Sequence, residues 1–264
     1  MEITQLLVLG SVIGFLSSFF GIGGGSIIVP TLYTLYPNLP ASIVVPISLG
    51  SIFFICLKNT ISYGRNKLLP PKEIIGAFLL SCFIGGFLGT KLLYFIDTNL
   101  AKKIMGFLLL AMVVKLLVFK SRHQDDQNFS PSFISFSIVG FIGSLISSIT
   151  GLGGGIIFTP IFLNILRVPL KKVSPYSNLA MVFATFIGVI PHIFQTRKNI
   201  YFQSDFLSSF FIGNVNFFFI LIITLGALFS SRLGIKANNL APPKTKKALL
   251  ALLLLGFSSK LLLF

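Results

Sequence analysis

The sequence predicts an all-α, polytopic integral membrane protein built of two inverted repeats. Each repeat has about five helical segments and opens with a Gly-rich hairpin that breaks a helix. Composition, an internal duplication and a lopsided distribution of basic residues between loops lead to this class. Of 264 residues, 54% are hydrophobic and 10% charged, and the mean hydropathy is +0.94. A soluble domain carries charge on roughly a quarter of its residues. The composition therefore excludes a soluble enzyme, a disordered regulator and a secreted disulfide scaffold. A spanning helix takes about 20 apolar residues, which leaves room for about eight to ten segments.

The segments come in two sets of five. Apolar runs cover 3–20, 26–36, 42–63, 73–96 and 101–119. After a polar stretch from Lys120 to Ser132 they resume at 133–150, 156–166, 174–194, 203–229 and 246–264. The start, Met1-Glu2-Ile3-Thr4, lacks the basic stretch of a cleaved signal peptide, so the first run is expected to remain as a helix. The first set contains Ser17-Ser18-Phe19-Phe20-Gly21-Ile22-Gly23-Gly24-Gly25-Ser26-Ile27-Ile28-Val29-Pro30. The second contains Ser147-Ser148-Ile149-Thr150-Gly151-Leu152-Gly153-Gly154-Gly155-Ile156-Ile157-Phe158-Thr159-Pro160, at an offset of 130. Pro46-Ile47-Ser48 then matches Pro175-Tyr176-Ser177, Arg65 matches Arg197, Lys91 matches Arg232, and Lys115–Phe119 matches Lys260–Phe264. An ordered series of matches is the mark of a tandem duplication. It divides the chain into a first repeat at 1–122, a polar linker at 123–132 and a second repeat at 133–264.

Loop charge decides the relative orientation of the halves. The runs 26–36 and 156–166 hold 11 residues each, about 16 Å of helix, too short to span alone. If 3–36 were one broken crossing, the halves would be parallel and the loop charges would divide almost evenly. If it is a hairpin turning at Gly21–Gly25, one side carries fourteen loop Lys and Arg residues. The other side carries four: Lys102, Lys103, Arg197 and Lys198. Cytoplasmic loops hold the excess of Lys and Arg, so the hairpin reading prevails, the halves are inverted, and both termini are external. The expected location is the cytoplasmic (inner) membrane. The net charge of +15 arises from these loop residues, so no nucleic-acid partner is expected.

Inverted repeats around interrupted helices are the architecture of secondary transporters. Four glycines in five positions cannot continue a helix, at about 1 kcal/mol each relative to alanine. A new helix begins after the last glycine, and its first N–H groups lack internal partners while its dipole end is positive. Without side chains to keep a ligand away, such a start binds anions. Gly23, Gly24, Gly25 and Ser26 in the first half, with Gly153, Gly154, Gly155 and Ile156 in the second, are therefore the expected substrate-binding elements. The competing reading is that the glycines only let helices pack closely. No Gly-Lys-Ser/Thr follows, so this is not a nucleotide phosphate loop.

The paired Ser-x-x-Gly-h-Gly-Gly-Gly-x-h-h-h-Pro blocks, where h is apolar, resemble the sulfite exporter (TauE/SafE) transporter family across roughly 3–264. The resemblance implies movement of small sulfur-containing or organic anions, such as sulfite, sulfoacetate and thiosulfate, across the cytoplasmic membrane. The reading is an alternating-access exporter of such an anion, not an enzyme. Rival readings are a non-transporting assembly or partner subunit, an anion channel, and a sulfur-transfer pore using Cys56 and Cys82.

All six acids, Glu2, Glu73, Asp97, Asp125, Asp126 and Asp205, sit at a terminus, segment end or loop. The absence of an intramembrane carboxylate relay fits an anion pathway. Ser48, Ser177 and Asn178 are candidate donors to the anion, and equally candidate helix–helix hydrogen bonds. Asn214 and Asn216 read as helix-packing residues within a Phe-rich segment. His192 titrates nearest neutral pH within the membrane and is the candidate for proton coupling. Lys91 and Arg232 are candidates for anion attraction at a cavity mouth, or snorkel to the interface. No cofactor or metal is expected, and Cys56 and Cys82 read as two small buried hydrophobes. The expected partners are the small anion and the lipid bilayer. A surface with 30 Phe and no Trp suits lipid or a second copy in a homo-oligomer.

Overall fold

Proline sets several of the helix starts, because its fixed φ is already helical and its missing N–H would lack a partner there anyway. In the computed structural model, which describes residues 2–20, 24–118, 132–195 and 209–263, Pro40 leads into α3 (Ala41–Arg65), Pro71 into α4 (Lys72–Phe95) and Pro169 into α8 (Leu170–Ile193). The described residues further contain α1 (Glu2–Phe20), α2 (Gly25–Leu35), α5 (Thr98–Val118), α6 (Phe133–Thr150) and α7 (Gly155–Asn164). A two-stranded hairpin, β1 (Phe211–Ile212) and β2 (Val215–Asn216), precedes α9 (Phe217–Leu240) and α10 (Pro243–Leu263). The described residues are all-α apart from that hairpin. Five helices, α3, α4, α6, α8 and most of α9, are long and apolar enough to cross a membrane by length and composition.

The apolar runs of the sequence reappear as helices with small shifts at their ends, with one exception. The run 203–229 is not one segment: α9 begins only at Phe217, after a turn at Gly213 (φ +59°). Asn214 and Asn216 consequently lie in the hairpin and not within a helix. Asn216 caps α9 by accepting a hydrogen bond from Phe219 N at 3.1 Å, the usual service of an N-cap amide. The matched prolines also fall in register. Pro30, Pro46, Pro160 and Pro175 are each the sixth residue of their helix.

Two helix pairs pack so closely that no side chain fits between them. On α1, a Cβ at Gly14 would lie 2.3 Å from Ala227 Cα of α9, and one at Gly10 would lie 2.7 Å from Ile223 O. On α4, a Cβ at Gly85 would lie 2.3 Å from Phe141 O of α6, and one at Gly89 would lie 2.4 Å from Leu145 O. In both pairs the contacts advance together along the two chains, so α1 runs parallel to α9 and α4 parallel to α6. Small residues permit this approach where lipid supplies no hydrophobic drive. At the centre, α3 and α8 are the most enclosed of the long apolar helices. They run antiparallel: Phe53 meets Phe186, Cys56 Sγ lies 4.0 Å from Met181 Sδ, and Asn59 Nδ2 donates to Asn178 Oδ1 at 3.1 Å. α5 joins α10 through Ser258 Oγ, which donates to Gly106 O at 2.8 Å.

The outer surface is apolar. Leu79, Leu80, Phe83, Ile84, Phe87 and Leu88 stand exposed along α4, and Phe229 of α9 is 82% exposed. Soluble monomers do not show patches of this extent, and lipid is their natural cover. Substitution separates packing glycines from idle ones. Gly85→Ala should cost about 1–3 kcal/mol by overpacking. Gly76→Ala, with nothing within 4 Å of the added Cβ, should gain about 0.5–1 kcal/mol. Thermal unfolding in detergent distinguishes them; equal shifts would contradict the packing.

Candidate functional site

The two glycine breaks meet at the centre of the molecule but are built differently. Gly151, at the end of α6, and then Gly153 and Gly154 have φ of +72°, +71° and +78°. Only glycine adopts such left-handed backbone routinely. Gly154 caps α7, its carbonyl accepting from Ile157 N and Phe158 N at 2.9 and 2.7 Å. Gly24 caps α2 with an ordinary right-handed φ of −68°, its carbonyl accepting from Ile27 N and Ile28 N at 3.1 and 2.9 Å. Gly23 lies outside the described residues.

The breaks touch one another directly. A Cβ on Gly25 would lie 2.4 Å from Leu152 O, and one on Gly153 would lie 2.6 Å from Ile52 Cδ1. Ser48 Oγ donates to Gly151 O at 2.7 Å. Ser26 and Ile156 are buried, and Gly154 packs against the Phe158 ring. The start of α2 therefore faces packed protein, and Ser48 is engaged with the backbone of the second break.

Beside the second break lies a cavity of about 400 Å³ with polar groups set among apolar ones. Its walls are Gly155 and Thr159 of α7, Ser174, Ser177, Asn178 and Met181 of α8, and Cys56, Lys58, Asn59, Ser62 and Tyr63 of α3. Gly14, Ser17 and Ser18 of α1, Ile55 of α3, and Ala227, Leu228, Ser231, Arg232 and Ile235 of α9 complete it. Ser177 Oγ is 3.1 Å from Thr159 Oγ1, and the Asn59–Asn178 amide pair bridges α3 and α8 on the same wall. No Asp or Glu lines the cavity among the described residues. Hydroxyls, amides, one helix start and two cations make a pocket that donates to a ligand and offers it no negative charge.

Of the sequence candidates, this cavity gathers Gly155, Ser177, Asn178 and Arg232. It does not include Ser48, or Lys91, whose ammonium sits over the Phe87 ring 4.7 Å from its centroid. His192 is wholly buried at the other end of α8. Its Nδ1 is 2.7 Å from Tyr94 OH, which accepts from Asn214 Nδ2 at 2.9 Å. There a second cavity of about 480 Å³ is lined by Tyr94, Asp97, Gln195 and Asn214 among others. Asn59, Ser62, Thr159 and Ser174 were absent from the sequence candidates. Helical spacing was the available signal: Ile55, Asn59 and Ser62 share one face, as do Ser174, Ser177, Asn178 and Met181. Cys56 and Cys82 are buried and unpaired, and no cluster able to hold a metal occurs among the described residues.

Comparison with known proteins adds the family. Residues 6–261 match the family model described as Sulfite exporter TauE/SafE. The chain belongs to the sulfite exporter TauE/SafE family. A probable membrane transporter protein of Haemophilus influenzae is 30% identical over 253 residues, covering 94% of this chain and 91% of its own. A probable membrane transporter protein of Methanocaldococcus jannaschii is 27% identical, with the same coverage of 94% and 91%. Another from Bacillus subtilis is 24% identical, covering 99% and 98%. No solved structure matches. This is a family of membrane transporters, not of enzymes, and the chain is a multi-pass membrane transporter of the TauE/SafE type.

The unequal breaks predict unequal tolerance. Gly154→Ala should lose about 1–2 kcal/mol to left-handed strain, beside a clash with Phe158 at 2.5 Å. Gly24→Ala, at φ −68°, should change stability little. Thermal unfolding of the two purified variants checks this; equal losses would count against the described backbone.

Proposed function

We propose that the chain is a secondary carrier that exports a small sulfur-containing anion, sulfite or a sulfonate such as sulfoacetate or a thiosulfate-like ion, by alternating access. The observation that carries this is the cavity whose walls combine Arg232, Lys58, Ser177, Asn178 and the start of α7 with no carboxylate among the described residues. An oxyanion entering it meets donors on several sides. Hydrogen bonds to a charged group are worth roughly 1.5–3 kcal/mol each. The second of the two helix starts would join in another conformation, since Gly25 now faces Leu152.

The division into inverted halves is supported by helix direction. The counterparts α3 and α8 run antiparallel, and the pairs α1 with α9 and α4 with α6 exchange under the same pairing of halves. The cavity opens towards the end of α3 that carries Lys58 and Arg65 and the start of α4 that carries Lys72. By the positive-inside rule that face is cytoplasmic, so this conformation is inward-facing in the inner membrane, with both termini external. The family's name points to sulfite as the first anion to test.

Reconstituted in proteoliposomes, the protein should carry sulfite with saturable kinetics. Arg232→Gln should weaken sulfite binding about tenfold, equivalent to about 1.4 kcal/mol, while Lys91→Gln should leave it unchanged. Absence of flux for sulfite, sulfoacetate and thiosulfate alike would overturn the substrate reading. Equal effects of the two substitutions would overturn the assignment of the cavity.

A further inference from the structure

We infer that a second anion vestibule, now collapsed, lies on the face opposite the cavity, built from Ser147, Ser148, Thr90, Gly188 and His192. This rests on the alternating-access reading above and names the residues that open when the present cavity shuts.

The repeat supplies the correspondence. The duplicated serine–glycine block sends Ser17 and Ser18 of the cavity wall to Ser147 and Ser148. The Pro46/Pro175 match sends Asn59 to Gly188 and Tyr63 to His192, and the Lys91/Arg232 match sends Ser231 to Thr90. Of the residues so reached, Ser148, Thr90 and Gly188 meet one another, Ser147 adjoins Ser148 in the chain, and His192 follows one turn after Gly188 on α8. Thr90 Oγ1 donates to Gly188 O at 2.9 Å, and a Cβ at Gly188 would lie 2.6 Å from Ser148 Oγ. Because α8 runs antiparallel to α3, the cluster sits at the end away from Asn59. It lies beside the outer cavity bordered by Tyr94 and Asn214.

Three further observations mark it as a closed space and not ordinary core. Ser147, Ser148 and His192 are each 0% exposed, yet Ser147 Oγ, Ser148 Oγ and His192 Nε2 have no hydrogen-bond partner among the described residues. Buried polar groups are normally paired, and water or an anion in an opened vestibule would pair all three. Glycine stands where the open wall has Asn59, so α4, α6 and α8 close without a gap. Gly24, the counterpart of left-handed Gly154, is a glycine in a backbone conformation that any residue adopts. Exchange of conformation between the halves gives it a state in which glycine is required.

A disulfide across the cluster tests this. An added Cβ at Gly188 lies 3.5 Å from Ser148 Cβ, within disulfide range. In a Cys56→Ala, Cys82→Ala background, Ser148→Cys with Gly188→Cys should form the bond on oxidation. Sulfite flux should then fall at least tenfold relative to that background and return with dithiothreitol. Failure of the bond to form, or flux persisting through a completed bond, overturns the inference. Ser148→Cys alone gives a readout independent of the anion. In the same cysteine-free background, a membrane-impermeant maleimide should label it, with no anion added, only from the face opposite to that which labels Ser18→Cys. Labelling from the same face, or none at all, overturns it. Wild-type vesicles that carry none of the three anions would instead refute the substrate reading and leave the labelling result standing.

Discussion

In hydrocarbon an unpaired peptide group costs several kcal/mol, because no water is present to take up its hydrogen bond. Continuous helices satisfy every such group except near their ends. This chain ends two helices in the interior, and much of the fold covers those ends. α3 and α8, the most enclosed of the long apolar helices, pass beside the breaks. Ser48 of α3 donates to the carbonyl of Gly151, and Ser177 of α8 meets Thr159 of the helix after the second break. Ser48 and Ser177 thus both attend the second break, one on its carbonyl side and one along its new helix. What remains accessible beside that break is the cavity.

Helix positions were legible because lipid imposes a length and an apolar composition on every crossing. The glycine breaks and the matched prolines were legible because the same blocks stand twice in the sequence, 129 or 130 residues apart. The hairpin before α9 was not, since Phe211, Ile212 and Val215 keep the segment apolar while Gly213 and Asn214 turn it. The site was legible only in part. Arg232 and Lys91 are matched in sequence, but one borders the cavity beside the second break and the other lies over Phe87. Which wall a side chain joins depends on how a helix is rotated against its neighbours, and one helix's sequence does not contain that. Asn59 was missed for the same reason: its meaning comes from Asn178, 119 residues further on.

The electrostatic character of the cavity follows from the same economy of charge. With 6 acidic residues in the chain and 21 basic ones, most cations have no carboxylate to neutralise them. Facing an aqueous opening, Lys58 and Arg232 keep their hydration and avoid the cost of burying a lone charge. Their field remains available to whatever negative species enters, and family membership fixes the setting as transport.

The glycine-lined pairs carry a consequence for biosynthesis. Gly14 of α1 docks on Ala227 of α9, so α1 awaits a partner translated more than 200 residues later. At about 5–20 residues per second, that delay is on the order of ten to forty seconds. During this time α1 must rest in lipid with its glycine groove vacant, or be sheltered by the insertion machinery. The same holds for α4 and α6, whose close approach at Gly85 and Gly89 joins helices more than 50 residues apart.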